Sequence, residues 1–331
     1  MVGGIGSDEG GAESGRAPRR SIARRPAQNA RQLRHGAPYS FRLGFLPAVV
    51  AALLLASTVG ACSLVNAVAA TRVDQKSYTV GATVQLVVTT FNGEVNVTAG
   101  GDGTLSAKVT ARGSGGTQDA AQRDLANVAV DFAQNGDAVT VTAHRTDNPV
   151  SLNNSGADVE ISLPRSSSLD LTTSNGRVQA VNVIGSIRVH TSNGDVVTRE
   201  GHDVTVETSN GSVTASDTAG ALDLRTSNGA VDVLNATDVV ATIQTSNGHV
   251  AFNGTLAAGS HRMETSNASL SIALPSGATF SIDGHTSNGN VSSDFPLTVT
   301  KDSLSGAVGS GGPSIAATTS NGNLSLTRLA P

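Results

Sequence analysis

From Leu169 onward, apolar and polar residues alternate in short runs set around one recurring tetrapeptide. Thr-Ser-Asn-Gly begins at Thr173, Thr191, Thr208, Thr226, Thr245, Thr286 and Thr319, and a variant, Thr265-Ser266-Asn267-Ala268, joins the series. The successive intervals are 18, 17, 18, 19, 20, 21 and 33 residues. Two residues before the threonine stand Leu171, Val189, Val206, Leu224, Ile243 and Met263; four before it, Leu169, Ile187, Val204 and Leu222. Five after it stand Val178, Val196, Val213, Val231, Val250, Leu270, Val291 and Leu324, and seven after it Ala180, Ala215, Val233, Phe252, Ile272 and Leu326. Polar residues fill the places between. A period of two marks strands with one face buried and one wet, so each repeat reads as strand, Asn-Gly corner, strand and a looser turn.

Both Asn and Gly tolerate positive φ, which a tight turn demands, and neighbouring Ser and Thr can bond local backbone groups. Two architectures satisfy this local pattern: a chain of β-hairpins closed by Asn-Gly, or a parallel β-solenoid in which each repeat is one coil of about 18–20 residues. Energetics favour the solenoid. One repeat buries about four aliphatic side chains, worth roughly 1.5–3 kcal/mol each. Ordering its backbone costs roughly 1–2 kcal/mol per residue. A repeat cannot stand alone, and near-constant length lets identical positions stack. The asparagines Asn175, Asn193, Asn210, Asn228, Asn247, Asn267, Asn288 and Asn321 then form a structural ladder along the corner.

Residues 75–168 are less regular, and 169–329 hold the repeats. Strand-like runs occur at Val84–Thr89, Val95–Ala99, Leu105–Ala111, Val128–Phe132, Val139–Ala143 and Ala157–Leu163. One helix is predicted over 117–127, with Thr117 as its cap and Asp119 in its first turn. Asn92-Gly93 echoes the later corners, so this part is read as the start of the same β-structure, with the helix as a lateral insertion or cap.

Over about residues 80–328, these Val-x-Val-x-Thr-Ser-Asn-Gly stretches, as in Val204–Gly211, and the opening Asn92-Gly93 strand resemble the DUF4097 family of β-strand repeat proteins, which carry an adhesin label. The resemblance implies a parallel β-helix-like fold at the cell envelope and brings no catalytic residues with it. The chain departs from the pattern at Ala268 and over the long interval Asn290–Ala317.

Composition narrows the class. Aromatics are 3%, Trp is absent and Gly numbers 37 in 331 residues. A core of Val, Leu, Ile and Ala suits thin layered β-structure. Residues 1–42 read as a basic disordered extension containing eight arginines, from Arg16 to Arg42, and only Asp8, Glu9 and Glu13 as acids. The net charge of −4 therefore becomes near −9 for the remainder, which argues against nucleic acid as a partner. Residues 43–61 are uncharged and Leu-rich, with the n-region, h-region and small-residue order of a signal peptide. They end in Val59-Gly60-Ala61-Cys62, which resembles the lipobox of bacterial lipoproteins and so implies lipidation at Cys62. Residues 62–74 would be the lipidated tether. The alternative is a single-pass transmembrane anchor, since the uncharged stretch runs on to Thr71. Either way the rest lies on the extracytoplasmic face of the cell membrane.

Candidate chemistry is sparse. The seven histidines are scattered, and His190 and His285 share a column about five coils apart. No metal site or cofactor is expected. Gly100–Gly103 reads as a turn, and Ser114–Gly116 and Gly311–Pro313 read as loops. Asp195, Glu207, Asp223 and Asp232 lie near successive corners but are interrupted by neutral residues, unlike the paired carboxylates of a glycan-cleaving enzyme. Glu207 and Arg225 would face each other as an exposed ion pair of small worth. The chain is thus expected to be a non-enzymatic envelope lipoprotein presenting a β-solenoid surface for adhesion or for binding a polymer or partner. The alternative is a component of envelope-stress signalling or cell-wall organisation that binds a membrane protein; a polysaccharide-active β-helix enzyme is the remaining rival.

Overall fold

The structure, a computed structural model, describes residues 67–101, 103–147 and 154–329. The basic extension, the hydrophobic segment 43–61, Cys62 and part of the Gly100–Gly103 turn lie outside the described residues. In chain order, Val68–Thr79 is β1; Gln85–Thr89 (β2) and Val95–Ala99 (β3) flank the Asn92-Gly93 corner. Thr104–Gly115 (β4), helix α1 (Gln118–Ala126), Val128–Asn135 (β5), Ala138–Arg145 (β6) and Gly156–Leu163 (β7) follow. The repeats then run as strand pairs: Ser168–Thr172 and Val178–Val181 (β8, β9), Ile187–His190 and Val196–Arg199 (β10, β11), His202–Glu207 and Val213–Ser216 (β12, β13). After Ala219–Arg225 (β14), the long Val231–Gln244 (β15) carries the far strand of one coil straight into the near strand of the next. Val250–Leu256 (β16), Ser260–Glu264 (β17), Leu270–Leu274 (β18), Phe280–Thr286 (β19) and Val291–Ser293 (β20) continue the pattern. Thr298–Val299 (β21) and Ser303–Val308 (β22) interrupt it, and Ser314–Thr319 (β23) and Leu324–Arg328 (β24) end it.

The chain folds as an all-β solenoid with one short helix. Strands before each corner pair in parallel in the order β6-β2-β8-β10-β12-β14-β15-β17-β23-β19. Strands after it pair in parallel as β7-β3-β9-β11-β13-β15-β16-β18-β24-β20. Hairpins are therefore not the unit of the stack. Among the described residues, antiparallel pairing is confined to its two ends, with β1, β4 and β5 at one and β21 and β22 at the other. The stack does not follow chain order at that second end. β23 and β24 lie between the coil of β17 and β18 and that of β19 and β20, so the last repeat is inserted one place in. The long interval before Thr319 is the chain needed to build β21 and β22 and come back.

Register explains the core. Val178, Val196, Val213, Val231, Val250, Leu270 and Leu324 form one buried column facing another of Leu171, Val189, Val206, Leu224, Ile243 and Met263. Each methyl cluster is covered above and below by its counterpart one strand spacing away, which supplies the burial a lone repeat lacks. The column of Ala180, Ala215 and Val233 contains one intruder, Thr198, whose hydroxyl is fully buried without a hydrogen-bond partner.

The first end is closed by α1. Thr117 caps it, its Oγ1 accepting from the Ala120 N–H at 3.2 Å. Ala121 and Leu125 are buried against the core. A Cβ on Gly113 would stand 2.2 Å from the Leu125 nitrogen, so only glycine lets the helix lie this close to β4. Asp124 pins the helix by accepting from the Ser114 N–H at 2.8 Å and from Arg145 Nη2 at 2.9 Å. Burial pushes the Asp124 carboxyl up, but the Ser114 and Arg145 hydrogen bonds outweigh it and hold the group below its ordinary value. β1 starts at Val68 and pairs along its whole length with β4, so strand structure takes in much of the stretch assigned to the tether. Ser114 and Gly115, expected in a loop, belong to that same ladder because β1 continues opposite them.

Removing the unpaired hydroxyl should help the fold. Thr198→Val keeps the shape and should raise stability by about 1–2 kcal/mol, read as a higher urea midpoint; a lower midpoint would show that the hydroxyl is bonded after all.

Candidate functional site

The repeated corner is the feature that most distinguishes this surface. It was expected to rely on positive φ at Asn-Gly, and it does not. No corner Asn or Gly is among the positive-φ residues. Four of those follow the strand after the corner, at Asn182, Glu200, Asp217 and Asn235, with φ of 62°, 65°, 55° and 55°. The corner needs glycine for space instead. A Cβ on Gly176, Gly194, Gly211, Gly229 or Gly248 would sit 1.8 Å from the carbonyl oxygen of the corner glycine one coil back. The backbones lie nearly in contact, and only a residue without a side chain permits it. Ala268 is the exception among these corners: the Ser266 and Asn267 N–H groups reach Ser246 O at the usual 3.2 and 3.0 Å and its methyl is half-buried, while a Cβ on Gly289 or Gly322 would still sit 2.0 Å from the carbonyl oxygen one coil back.

Each corner residue has its own task in this stack. The serine carbonyl accepts two N–H groups from the next coil, as Ser192 O does from Ser209 N and Asn210 N at 3.2 and 3.0 Å. The threonine is buried, and its hydroxyl donates to the glycine carbonyl one coil back, as from Thr226 to Gly211 at 3.0 Å and from Thr245 to Gly229 at 2.9 Å. Thr191 is the exception, its Oγ1 buried without a partner. The asparagine amides donate one to the next. Asn210 Nδ2 bonds Asn193 Oδ1, Asn228 bonds Asn210, Asn247 bonds Asn228 and Asn267 bonds Asn247, each at 2.7 Å. Asn175 and Asn193 continue the row toward Asn92, which heads it. At the far end Asn321 bonds Asn267 at 2.8 Å and Asn288 bonds Asn321 at 2.9 Å. All eight predicted asparagines stand in one row, with 321 ahead of 288 as the inserted coil dictates. Asn92 is an added member whose only sequence signal was its own Asn-Gly.

The asparagines' neighbours Ser174, Ser192, Ser209, Ser227, Ser246 and Ser266 are exposed alongside them. A shallow polar groove of about 430 Å³ follows the corner between this row and Arg225, Gln244, Glu264 and Thr318.

The candidate acidic residues are dispersed into local pairs. Asp195 accepts from the Ser212 N–H at 2.8 Å, Asp232 meets His249 at 3.0 Å and Glu207 meets His190 at 3.6 Å. Arg225 stands beside Glu207 in register, but it turns to Asp223 at 2.8 Å and donates to Gln244 at 2.7 Å. A bidentate carboxylate on its own strand holds the fork better than a glutamate one coil away. The inserted coil also lengthens the path from His190 to His285 to six coils. Among the described residues, no three or more His, Cys, Asp or Glu side chains stand together as a metal site would require. No described helix is long and apolar enough to cross a membrane.

His261, expected from the sequence to be one of several exposed, scattered histidines, is instead buried. Its Nδ1 accepts from the Ala241 N–H at 3.1 Å, so Nε2 carries the proton and donates to the Ala257 carbonyl at 3.0 Å. Burial pushes the imidazole pKa below its ordinary 6.5, only partly opposed by the Ala257 bond.

Residues 84–327 match the family described as Toastrack DUF4097. No curated protein is similar enough to match. Among solved structures, a provisionally named adhesin from Bacteroides fragilis is 13% identical, with 78% of this chain and 97% of that one covered and a TM-score of 0.34. A provisionally named cell adhesion protein from Clostridium sporogenes is 11% identical, with 78% and 100% covered and a TM-score of 0.24. A provisionally named lipid-binding protein from Parabacteroides distasonis is 14% identical, with 78% and 97% covered and a TM-score of 0.29.

Two outcomes follow for the corner. Gly211→Ala forces a methyl into a neighbouring carbonyl that cannot step aside and should cost about 3 kcal/mol, whereas Ala268→Gly should change stability by less than about 1 kcal/mol; equal effects in chemical denaturation would refute the spacing argument. For His261, the unfolded chain binds the extra proton between the lowered folded pKa and 6.5. Stability from this group is therefore full above 6.5 and lost as pH falls through that window. The thermal midpoint should drop more steeply from pH 7 to pH 5 in the natural chain than in His261→Gln; parallel curves would exclude this role.

Proposed function

This chain belongs to the Toastrack DUF4097 family, and on that premise we propose that it is a non-enzymatic envelope protein whose corner face binds an extended polymer. The observation that carries this reading is the unbroken exposed row of serine and asparagine side chains along the stack. Its amides are already committed to one another, so the row is rigid, and it presents the same groups at every strand spacing. A repetitive, hydroxyl-rich ligand such as a wall glycan could meet equivalent contacts coil after coil, and weak contacts repeated along one rigid face add through effective concentration. The local pairing of Asp195, Glu207, Asp223 and Asp232 leaves each carboxylate in separate company, which fits binding better than cleavage. In this reading the hydrophobic segment exports the chain, and lipidated Cys62 holds it on the extracytoplasmic face of the membrane.

The test is co-sedimentation of the full chain with isolated cell wall. Replacing the hydroxyl row by long side chains of alternating charge (Ser209→Lys, Ser227→Glu, Ser246→Lys) should lower retention about tenfold, or about 1.4 kcal/mol, with the unfolding midpoint unchanged. Unchanged retention, or recovery of one stoichiometric membrane protein by crosslinking instead, would overturn the polymer reading. Cys62→Ser should release the chain from the membrane fraction, and continued retention would remove the lipid anchor.

A further inference from the structure

The coil formed by β23 and β24 is held where chain order would not put it. The two coils that are consecutive in sequence, β17 with β18 and β19 with β20, are parted by one coil width, and residues 314–328 fill the space. The slot offers paired strands on both sides. The Thr265 and Leu270 N–H groups donate to Thr318 O and Asn323 O at 3.0 and 2.9 Å, while the Leu324 N–H donates to Asn290 O at 3.0 Å. Ile315, Ala317, Leu324 and Leu326 fill its interior, and Asn321 bonds an asparagine on either side. All these contacts are those of any repeat, so the slot recognises the pattern rather than an address peculiar to its own chain.

The path into the slot is a glycine-rich tether that lies against Thr279. Gly309-Ser310-Gly311-Gly312-Pro313 leads from β22 to β23, with φ of +68° at Gly309 and +82° at Gly311. It crosses the 275–279 segment, which spans the extra coil width, and beside the crossing lies an open, partly apolar pocket of about 460 Å³ lined by Leu256, Leu274, Pro275, Ala278, Phe280 and Pro313. At the crossing Gly309 and Gly312 lie against Thr279, where a Cβ would find no room, and the Pro313 carbonyl accepts from the Ser281 N–H at 3.0 Å, so the turning point is the glycine run itself rather than a gap in the packing.

We propose that this last coil is exchangeable between copies of the chain: the slot between β17 and β19 accepts residues 314–328 of a second molecule, whose own slot takes the coil of the first. The glycine-rich tether is the hinge, the occupant is identical in sequence to the native filling, and the closed product is a reciprocal dimer. Opening requires only the strand ladders of one coil to part, and a second copy restores every one of them. The same exchange would present two corner rows on one particle.

The experiment mixes two full-length chains, both carrying Cys62→Ser, one with Ser260→Cys and the other with Ser314→Cys. These two exposed serines are register partners with hydroxyl oxygens 3.3 Å apart. The mixture is held in urea below the unfolding midpoint at several protein concentrations, then returned to buffer and oxidised. The expected result is a dimer by light scattering that contains the 260–314 disulfide, increases with concentration and exceeds the 260–260 and 314–314 products at least tenfold. Deleting Gly311 and Gly312 should raise the dimer fraction, because the shortened tether no longer lets a coil reach its own slot. A chain that stays monomeric at every concentration, or dimers in which the 260–314 disulfide is no commoner than the others, would overturn the proposal.

Discussion

The stack depends on how closely one coil can lie on the next at the corner. A glycine carbonyl from each coil occupies the space where a side chain of the following glycine would be, and every other corner interaction is arranged around that approach. The threonine hydroxyl satisfies the same carbonyl from inside, the serine carbonyl gathers two N–H groups from the next coil, and the asparagine amides align outside. Polar groups that would be costly to bury unpaired are thereby almost all matched at the line where the two sheet faces meet. Val and Leu columns supply the burial on either side and exclude a one-residue slip, which would turn the polar face inward, and the corner adds backbone contacts that fix which residue lies over which.

That constraint also explains the ends. A repeating corner offers an equivalent seat to any coil, and so the final repeat can enter between two others instead of being added last. Strands with unmet hydrogen-bonding edges invite further pairing. The molecule deals with them by changing direction: antiparallel β1, β4 and β5 with a pinned helix at one end, and antiparallel β21 and β22 at the other. What remains exposed is a long edge of repeated serine and asparagine side chains, a pattern suited to a ligand that repeats.

Much of this was legible in the residues. The period of two and the recurrence of Thr-Ser-Asn-Gly gave the strands, the buried columns and the coil length, and Thr117 with Asp119 marked the helix. Other features were hidden for physical reasons. Asn-Gly is compatible both with positive φ and with crowded backbone, and sequence alone does not separate the two; only the stacked carbonyls reveal that space was the requirement. The order of the last coils was invisible because the repeats are alike, and the 33-residue interval before Thr319 signalled an excursion without its destination. Arg225 turned to Asp223 rather than Glu207 because side-chain rotamers, not register, choose among nearby partners. His261 has no motif, and its role as a backbone acceptor emerges only where β15 and β17 meet.

The arrangement of corner serines in the final coils tests the stacking account most directly. Cysteine pairs introduced in a Cys62→Ser chain, one variant at Ser266 and Ser320 and another at Ser266 and Ser287, can be oxidised in dilute native protein and mapped by mass spectrometry. Spatial stacking predicts an intramolecular bond between 266 and 320, which are 54 residues apart in sequence but bonded backbone to backbone at 3.2 Å, and none between 266 and 287. Ready closure of the 266–287 pair with failure of the 266–320 pair would mean that the coils follow chain order, and the account of the corner as the element that seats them would be contradicted.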